Sequence, residues 1–404
     1  MPTMTSRERF LTALRRGVPD RVPVAPDISN YIPAKRTGLP FWDIYFQGEP
    51  PLWKEYLKAM DHFGGDYWVA SCCGLPAVWD SSPRITRTVK DRYDAQMDAM
   101  IRSATIQTPD GELTSEDICF RADPPSPTRK PLKDPERDWK AFRWTLQSRP
   151  VALDMQAFND IRSECDKRQA AFGVGIGYPG FQGWLGAADG GLETLTYMLA
   201  DHPEMLDEWY EADFDRSDKL MSLVLPAKPD YILFGGSGTL SLASPALALK
   251  YCIPGLKKWT QQAQDAGVAT LLHSCGKSRL LVDMLAEHTS LGMINPLEVA
   301  PMGDVDLAEV KAARGRQIGL MGNLHTTAVM LRGNPELVRR KSLEAMRDAG
   351  AGGAFCLSTG DQCGRETPDA NLFAHIDAAR RYGAYDPDGR LPLVEQALAE
   401  PAPA

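Results

Sequence analysis

The sequence predicts a parallel (β/α)8 barrel, α/β in class, with an N-terminal β-hairpin insertion. Short apolar, β-branched runs alternate with helical stretches down to the C-terminal region, the rhythm of right-handed crossovers in a parallel sheet. Counting those runs near residues 22, 67, 171, 231, 268, 291, 317 and 353 gives eight, the number that closes such a barrel. A dinucleotide-binding sheet is disfavoured because no glycine-rich loop opens a helix at the right place. The segment GVGIGYPG at 173–180 is too tight and too aromatic for that role.

With 404 residues, 43% of them hydrophobic, the chain can bury a large core. The expected organisation is one barrel domain over 1–404, an insertion at about 80–145 and a C-terminal tail at about 385–404. A formal charge of -8 argues against nucleic acid or an anionic membrane as the main partner. No apolar run is long enough to span a bilayer, and MPTMTSRERF leads straight into a charged helix. A cytoplasmic location is the expectation. The eight cysteines then read as reduced thiols rather than a disulfide framework.

In chain order, Ser6 to Arg16 has helical spacing, with Thr5 or Ser6 as cap and Phe10, Leu11 and Leu14 as the buried stripe. Arg21 to Ile28 reads as the first strand and Leu52 to Phe63 as a helix. Tyr67 to Ser71 reads as the second strand, ending in Cys72, Cys73 and Gly74. From Ile85 to Asp117 polar and β-branched residues alternate around Pro109-Asp110-Gly111, which predicts the hairpin; a proline-rich connection, Pro125 to Pro131, follows. After the helix Leu153 to Gln169 comes the strand Ala171 to Gly177 and a glycine-rich aromatic loop. Leu192 to Leu220 is helical in two pieces, Tyr231 to Phe234 is a strand, and Pro245 to Gly267 is helical with a break at Pro254. The strand Val268 to Leu272 follows. The remaining units are regular: helix 279–288, strand 291–295, helix 305–313, strand 317–321, helix 336–348, strand 353–358 and closing helix 369–381.

Chemistry concentrates where strands end, the face on which barrels carry their sites. The run VATLLHSCG stops in His273 and Cys275. An i,i+2 pair leaving an extended segment points both side chains one way, so the two can share a metal ion. The competing reading is a satisfied histidine beside a core cysteine. Glu298, after the next strand, could contact the metal, orient His273, accept a substrate proton, or simply sit before the next helix. Asn323 and His325 follow the next strand; His325 could shuttle a proton or cap the next helix. Arg365, after the last strand, could bind a substrate carboxylate or phosphate, or pair with Asp361 or Glu366. Tyr31, Tyr178, Phe181 and Trp184 could wall a pocket for a planar group, or pack loops over the barrel mouth. Cys72 and Cys73 are read as buried thiols. His62, His202, His288 and His375 fall on helices or at their ends and receive no role.

The stretches LLHSCGKSRLLVDMLAE, MINPLEV, QIGLMGNL and GDQCGRETPDANLFAHIDAARRYG resemble the uroporphyrinogen decarboxylase superfamily, which includes zinc-dependent methyltransferases working with corrinoid proteins. The resemblance runs from the N-terminal helix to Tyr382 and implies the same barrel. The decarboxylase branch has RQAGRY-type loops after the first strand; here that region reads PDISNYIPAKRTG, with Asp27 but without the paired arginines. The methyltransferase branch has His-x-Cys after one strand and a further cysteine after the last. His273 and Cys275 match the first two positions, and counting back from Thr367-Pro368 puts Asp361 at the third, with Cys363 as the alternative ligand. Cys356 falls inside the strand and reads as core.

The resemblance therefore implies a zinc-dependent methyltransferase or O-demethylase. Its partners would be a corrinoid (cobalamin) on another protein and a small methylated or carboxylated substrate, and its assembly a homodimer or a complex with the corrinoid protein. Harder donors at the third position would also admit iron. Two alternatives stay open: a metal-assisted decarboxylase or lyase using Asp27 and Arg365, and a non-catalytic binding barrel.

Overall fold

The computed structural model describes residues 3–400. Six strands form one parallel sheet whose spatial order follows the chain: Gly173–Gly177, Tyr231–Gly235, Ala269–His273, Met293–Asn295, Gly319–Leu324 and Phe355–Thr359. The first segment extends this sheet, because Val24 bridges Leu357 in parallel. The Ala25 N–H donates to Leu357 O at 2.9 Å and the Leu357 N–H to Pro23 O at 2.9 Å. The second stave follows, with the Asp66 N–H on Val24 O at 2.7 Å. A helical turn, Ala70–Cys73, then packs on Gly173–Gly177. The fold is thus the (β/α)8 barrel, with six regular staves and two irregular ones.

Those two staves correct the sequence reading. In RVPVAPDI, Pro23 and Pro26 cannot donate to a ladder, and the Asp66 carboxylate takes the Val24 N–H at 2.9 Å. Only a bridge survives where a strand was expected. Tyr67 to Ser71, also expected as a strand, bends into the turn Ala70–Cys73, fixed where the Tyr231 hydroxyl accepts from the Ala70 N–H at 3.1 Å. Here Gly173 is required, since a Cβ on it would lie 2.2 Å from the Tyr231 ring.

The first helix, Ser6–Leu14, starts at a Thr5–Glu8 capping box and places Arg9 under the barrel. There Arg9 pairs with Asp20 at 2.7 Å and with Asp66 at 2.8 Å, and Arg21 joins Asp66 at 2.9 Å.

The insertion exceeds the expected hairpin. Thr86–Asp94, Ala99–Thr108, Gly111–Phe120 and Ser126–Arg129 make a four-stranded antiparallel sheet. The proline-rich connection supplies the fourth strand, and Pro127 is tolerated there because the strand lies at an edge. Helix Pro135–Leu146 packs on this sheet, and strand Ala77–Asp80 pairs with Arg149–Leu153 where the insertion leaves the barrel. At Pro254 a π-turn, Ala248–Cys252, hands over to helix Ile253–Asp265. The region expected as a tail carries helix Pro392–Ala399, which buries Val394 against the barrel. Residues 401–404 of that expectation lie outside the described residues. No helix among the described residues is long and apolar enough to cross a membrane.

Strand register settles which side chains face the axis. Phe234 stacks on Trp259 of an outer helix, centroids 6.4 Å apart, and pairs in register with Leu272, which pairs with Ile294. Those residues face outward, so the next layer, Gly235, His273 and Asn295, faces inward.

Candidate metal centre

Register and a pinned turn aim His273 and Cys275 together at the mouth. The strand Ala269–His273 ends where the Ser274 N–H donates to Asn295 O at 2.8 Å. The Ser274 hydroxyl bonds Thr239 Oγ1 at 2.9 Å, and Thr239 in turn meets the Tyr178 hydroxyl at 2.8 Å. Ser274 is therefore anchored to Thr239, which holds its neighbours in place. Gly276 takes φ +80°, and a Cβ there would lie 2.1 Å from Ser241 Oγ; only glycine fits. Its N–H donates to the Glu298 carboxylate.

Three donors converge, and a fourth stands beside one of them. Ligand atoms of Cys275, Glu298 and Asp361 all lie within 4.8 Å of one another, and His273 Nε2 stands 3.9 Å from Asp361 Oδ1. Asp361 reaches this point through a backbone at φ +130°, unusual for a residue other than glycine and characteristic of strain held at functional sites. The Thr359 hydroxyl donates to its carbonyl at 2.8 Å, and the Gln362 N–H to its carboxylate at 2.8 Å.

Without a cation these groups oppose one another. Burial pushes the Glu298 carboxyl up, and Asp361 adds to the effect. Burial likewise raises the Cys275 thiol, again with Asp361 and Glu298 contributing. Asp27, 2% exposed, is raised chiefly by burial against the pull of Ser29, whose hydroxyl donates to it at 2.6 Å; His273 and Asp361 both act on it through space. A nest of buried acids around an imidazole is unfavourable on its own, and a bound cation reverses its sign.

The remaining expected residues are elsewhere. Cys363 does not join the four: its N–H donates to Asp27 O at 2.8 Å, and burial pushes its thiol up to about 12. Asp361, two residues earlier, reaches the centre because of its left-handed backbone. His325 caps the helical turn Thr326–Leu331, its Nδ1 accepting from the Thr327 and Ala328 N–H groups at 3.2 Å each. The cap was one of the two roles expected of it. Asn323 donates to Leu297 O at 2.9 Å. Arg365 is tied to the insertion through Asp123 at 2.8 Å and to Glu366 at 2.8 Å, not to Asp361. Pairing with Glu366 was one of the roles expected of it. Tyr31 opens helix Tyr31–Thr37, half-buried against the Phe41–Trp42 cluster. Trp184 and Phe181 belong to a second aromatic core with Trp209 and Tyr251, and Trp184 together with Tyr178 also lines a cavity at its edge. Cys72 and Cys73 donate to backbone carbonyls, and Cys356 is buried in its strand.

Sequence reasoning missed Asn295. It is fully buried, pairs in register with His273, and neither atom of its carboxamide has a hydrogen-bond partner. The signal was there: a polar residue ending an apolar strand one stave from His273. Two unpaired buried polar atoms cost about 1–3 kcal/mol each, so Asn295→Leu is expected to raise the unfolding free energy from denaturant titration by about 1 kcal/mol after the cost of repacking. A loss of stability in that variant would assign the amide a structural partner instead.

Residues 186–382 match the family model described as uroporphyrinogen decarboxylase (URO-D). Among curated proteins, the methylcobamide:CoM methyltransferase MtbA of Methanosarcina mazei is 27% identical over 208 residues, 46% of this chain and 56% of that protein. The chain thus spans little more than half the length of that relative. MtbA of Methanosarcina acetivorans is 24% identical over 264 residues, 64% of this chain and 72% of that protein. Among solved structures, a methyltransferase from Methanosarcina mazei superposes with TM-score 0.62 at 15% identity, over 95% of this chain and 100% of that one, a likeness of fold.

Proposed function

The chain belongs to the uroporphyrinogen decarboxylase superfamily, on the side of its methyltransferases, and from that premise we propose that it is a zinc-dependent methyltransferase or O-demethylase working with a corrinoid carried by a partner protein. The observation that carries this reading is the convergence of Cys275, Glu298 and Asp361 on one point at the barrel mouth, with His273 beside Asp361. One imidazole, one thiol and two carboxylates are a donor set that suits zinc. His273, Cys275 and Asp361 would hold the ion, with Glu298 either joining them or facing the open position. Zinc there would supply Lewis acidity, lowering the pKa of an incoming thiol or polarising a methyl-bearing oxygen or nitrogen.

The protein's own residues do the rest. The Gly276 N–H fixes the Glu298 carboxylate at the mouth, where it can hold or release a proton on the substrate heteroatom that loses or gains the methyl group. Ser29 keeps the buried Asp27 carboxylate in place on the far side of His273. The Ser274–Thr239–Tyr178 chain holds the loop that presents Cys275. Compared with a cysteine at the third position, Asp361 donates less charge to the ion, which favours activating a weaker nucleophile or leaving group. With Arg365 engaged elsewhere, the carboxylate clamp that a decarboxylase reading needs is missing among the described residues.

Metal analysis of the purified protein tests this directly. One zinc per chain is expected in the wild type and in Cys363→Ala, and its loss in Cys275→Ala and Asp361→Ala. Methyl transfer from free methylcobalamin to a small thiol, followed by absorbance, should be lost in the same two variants. Full zinc occupancy in Asp361→Ala, or none in the wild type after reconstitution, would defeat the assignment.

A further inference from the structure

A cavity of 580 Å³ lies between the insertion, helix Pro203–Ala227 and the loop after strand Gly173–Gly177. Its volume falls in the range of small-molecule sites. Its lining is rich in rings: Trp79, Phe142, Tyr178, Trp184 and Trp209, with Phe142 edge-on to Trp209 at 4.7 Å between centroids. Trp184 and Trp209 stack with centroids 5.4 Å apart and planes 27° apart. Trp79 keeps 44% of its surface exposed although it lies beside this cluster.

The polar groups of the lining narrow the ligand. Helix Pro203–Ala227 contributes Asp213 and Arg216, one turn apart. Asp213 accepts from the Trp184 indole N–H at 2.9 Å and from Arg216 Nη1 at 2.5 Å. Two hydroxyl hydrogens are already used, Thr145 donating to Phe142 O at 2.7 Å and Ser217 to Gly177 O at 3.0 Å, and the Tyr178 hydroxyl is hydrogen-bonded with Thr239. Spare donors remain on Arg216, whose Nη2 has only a 3.5 Å contact with Leu146 O, and on the indole of Trp79, which makes no hydrogen bond among the described residues. Charge points the same way. Arg149 also acts on Asp213 through space, and its guanidinium bonds only the backbone carbonyls of Leu146 and Ser148. Arg149 thus adds positive charge near Asp213 and makes no ion pair of its own among the described residues.

We propose that this cavity is a second binding site, separate from the metal centre, for a planar aromatic monocarboxylate whose ring lies against the tryptophans and whose carboxylate meets Arg216. Arg216 offers paired donors in a plane, which suits a carboxylate, and aromatic stacking supplies the apolar part. Trp79 sits at the base of the insertion while Tyr178 and Trp184 follow a barrel strand. A bound ligand would therefore clamp the insertion to the barrel, giving that antiparallel sheet a ligand-dependent position. The assignment does not depend on the metal.

Titration of the full-length protein with 2-naphthoate, read by quenching of tryptophan fluorescence and by calorimetry, tests the site. Saturable binding with one site per chain is expected. Arg216→Gln and Trp79→Ala should each weaken it about tenfold, and Cys275→Ala should leave it unchanged. The cationic analogue 2-naphthylmethylamine should not bind. Because Trp79 is half exposed, its variant keeps the test open if Arg216→Gln fails to fold. Absence of saturable binding, or loss in Cys275→Ala with retention in Arg216→Gln and Trp79→Ala, overturns the proposal; the second outcome would put the ligand in the barrel mouth.

Discussion

Asp66→Ala is expected to lower the unfolding free energy by about 3–5 kcal/mol. Asp66 is 1% exposed and accepts from Arg9 at 2.8 Å, from Arg21 at 2.9 Å and from the Val24 N–H at 2.9 Å. Removing it takes from Arg21 its carboxylate partner and from Arg9, 7% exposed, one of two, and leaves the Val24 N–H without its acceptor. Uncompensated buried charge is what makes breaking such a pair costly, even where the intact pair contributes little net. Asp20→Ala leaves Arg9 bonded to Asp66 and should cost less, about 1 kcal/mol. The consequence reaches the site, because the stave that Asp66 holds ends in Asp27, which faces His273. Denaturant titration of both variants measures the difference. A cost below about 1 kcal/mol for Asp66→Ala would mean that the irregular staves are held by packing alone.

That network also shows where pattern reading stops. Six staves were legible because each is a run of apolar residues long enough to pair on both sides. The first two were placed correctly along the chain, but their conformation depended on Asp66, a residue from one stave bonding the backbone of another. No local period encodes such a contact. The hairpin was legible from Pro109-Asp110-Gly111 and the alternation around it. The fourth strand of the insertion, Ser126–Arg129, was not, since two prolines flank or interrupt it and all its residues are exposed.

At the site, the strand-end position of His273 and Cys275 was open to sequence reasoning because period two fixes both directions at once. Whether Asp361 or Cys363 would approach them was not. The choice turns on one backbone angle, φ +130° at Asp361, in a loop with no repeating pattern. The aromatic loop posed a different difficulty: Tyr178, Phe181 and Trp184 look the same in sequence whether they wall a pocket or fill a core. Tyr178 does both, lining the cavity while its hydroxyl supports the loop before Cys275. His325 illustrates the competition between roles, since the same imidazole that could move a proton satisfies two backbone amides at a helical start.

Lowering the pH from 6.5 to 4.5 is expected to destabilise the protein through His375 alone by about 2.3 kcal/mol. This residue, given no role from sequence, is fully buried in helix Asp369–Tyr382. Its Nδ1 lies 3.0 Å from Ser342 Oγ, whose hydrogen goes to Val338 O at 2.8 Å. The serine oxygen therefore accepts from Nδ1–H. Nε2 is left with a lone pair and no partner, so a proton arriving there would be buried without an acceptor. Burial accordingly pulls the imidazole pKa down to about 3. In the unfolded chain the same group titrates near its ordinary value of 6.5. Between those two values the unfolded state binds the proton and the folded state does not, so stability is full above 6.5 and falls by about 1.4 kcal/mol per pH unit below it. Carboxylates titrate over part of the same range, so the comparison is made against His375→Leu, which keeps the apolar volume and removes the proton. Urea unfolding at pH 7, 5.5 and 4.5 should show the variant losing less stability on acidification than the wild type, by about one proton's worth of slope. Equal slopes in the two proteins would place the charged imidazole in contact with solvent or an acceptor, and the closing helix would then have to open locally at mild acidity.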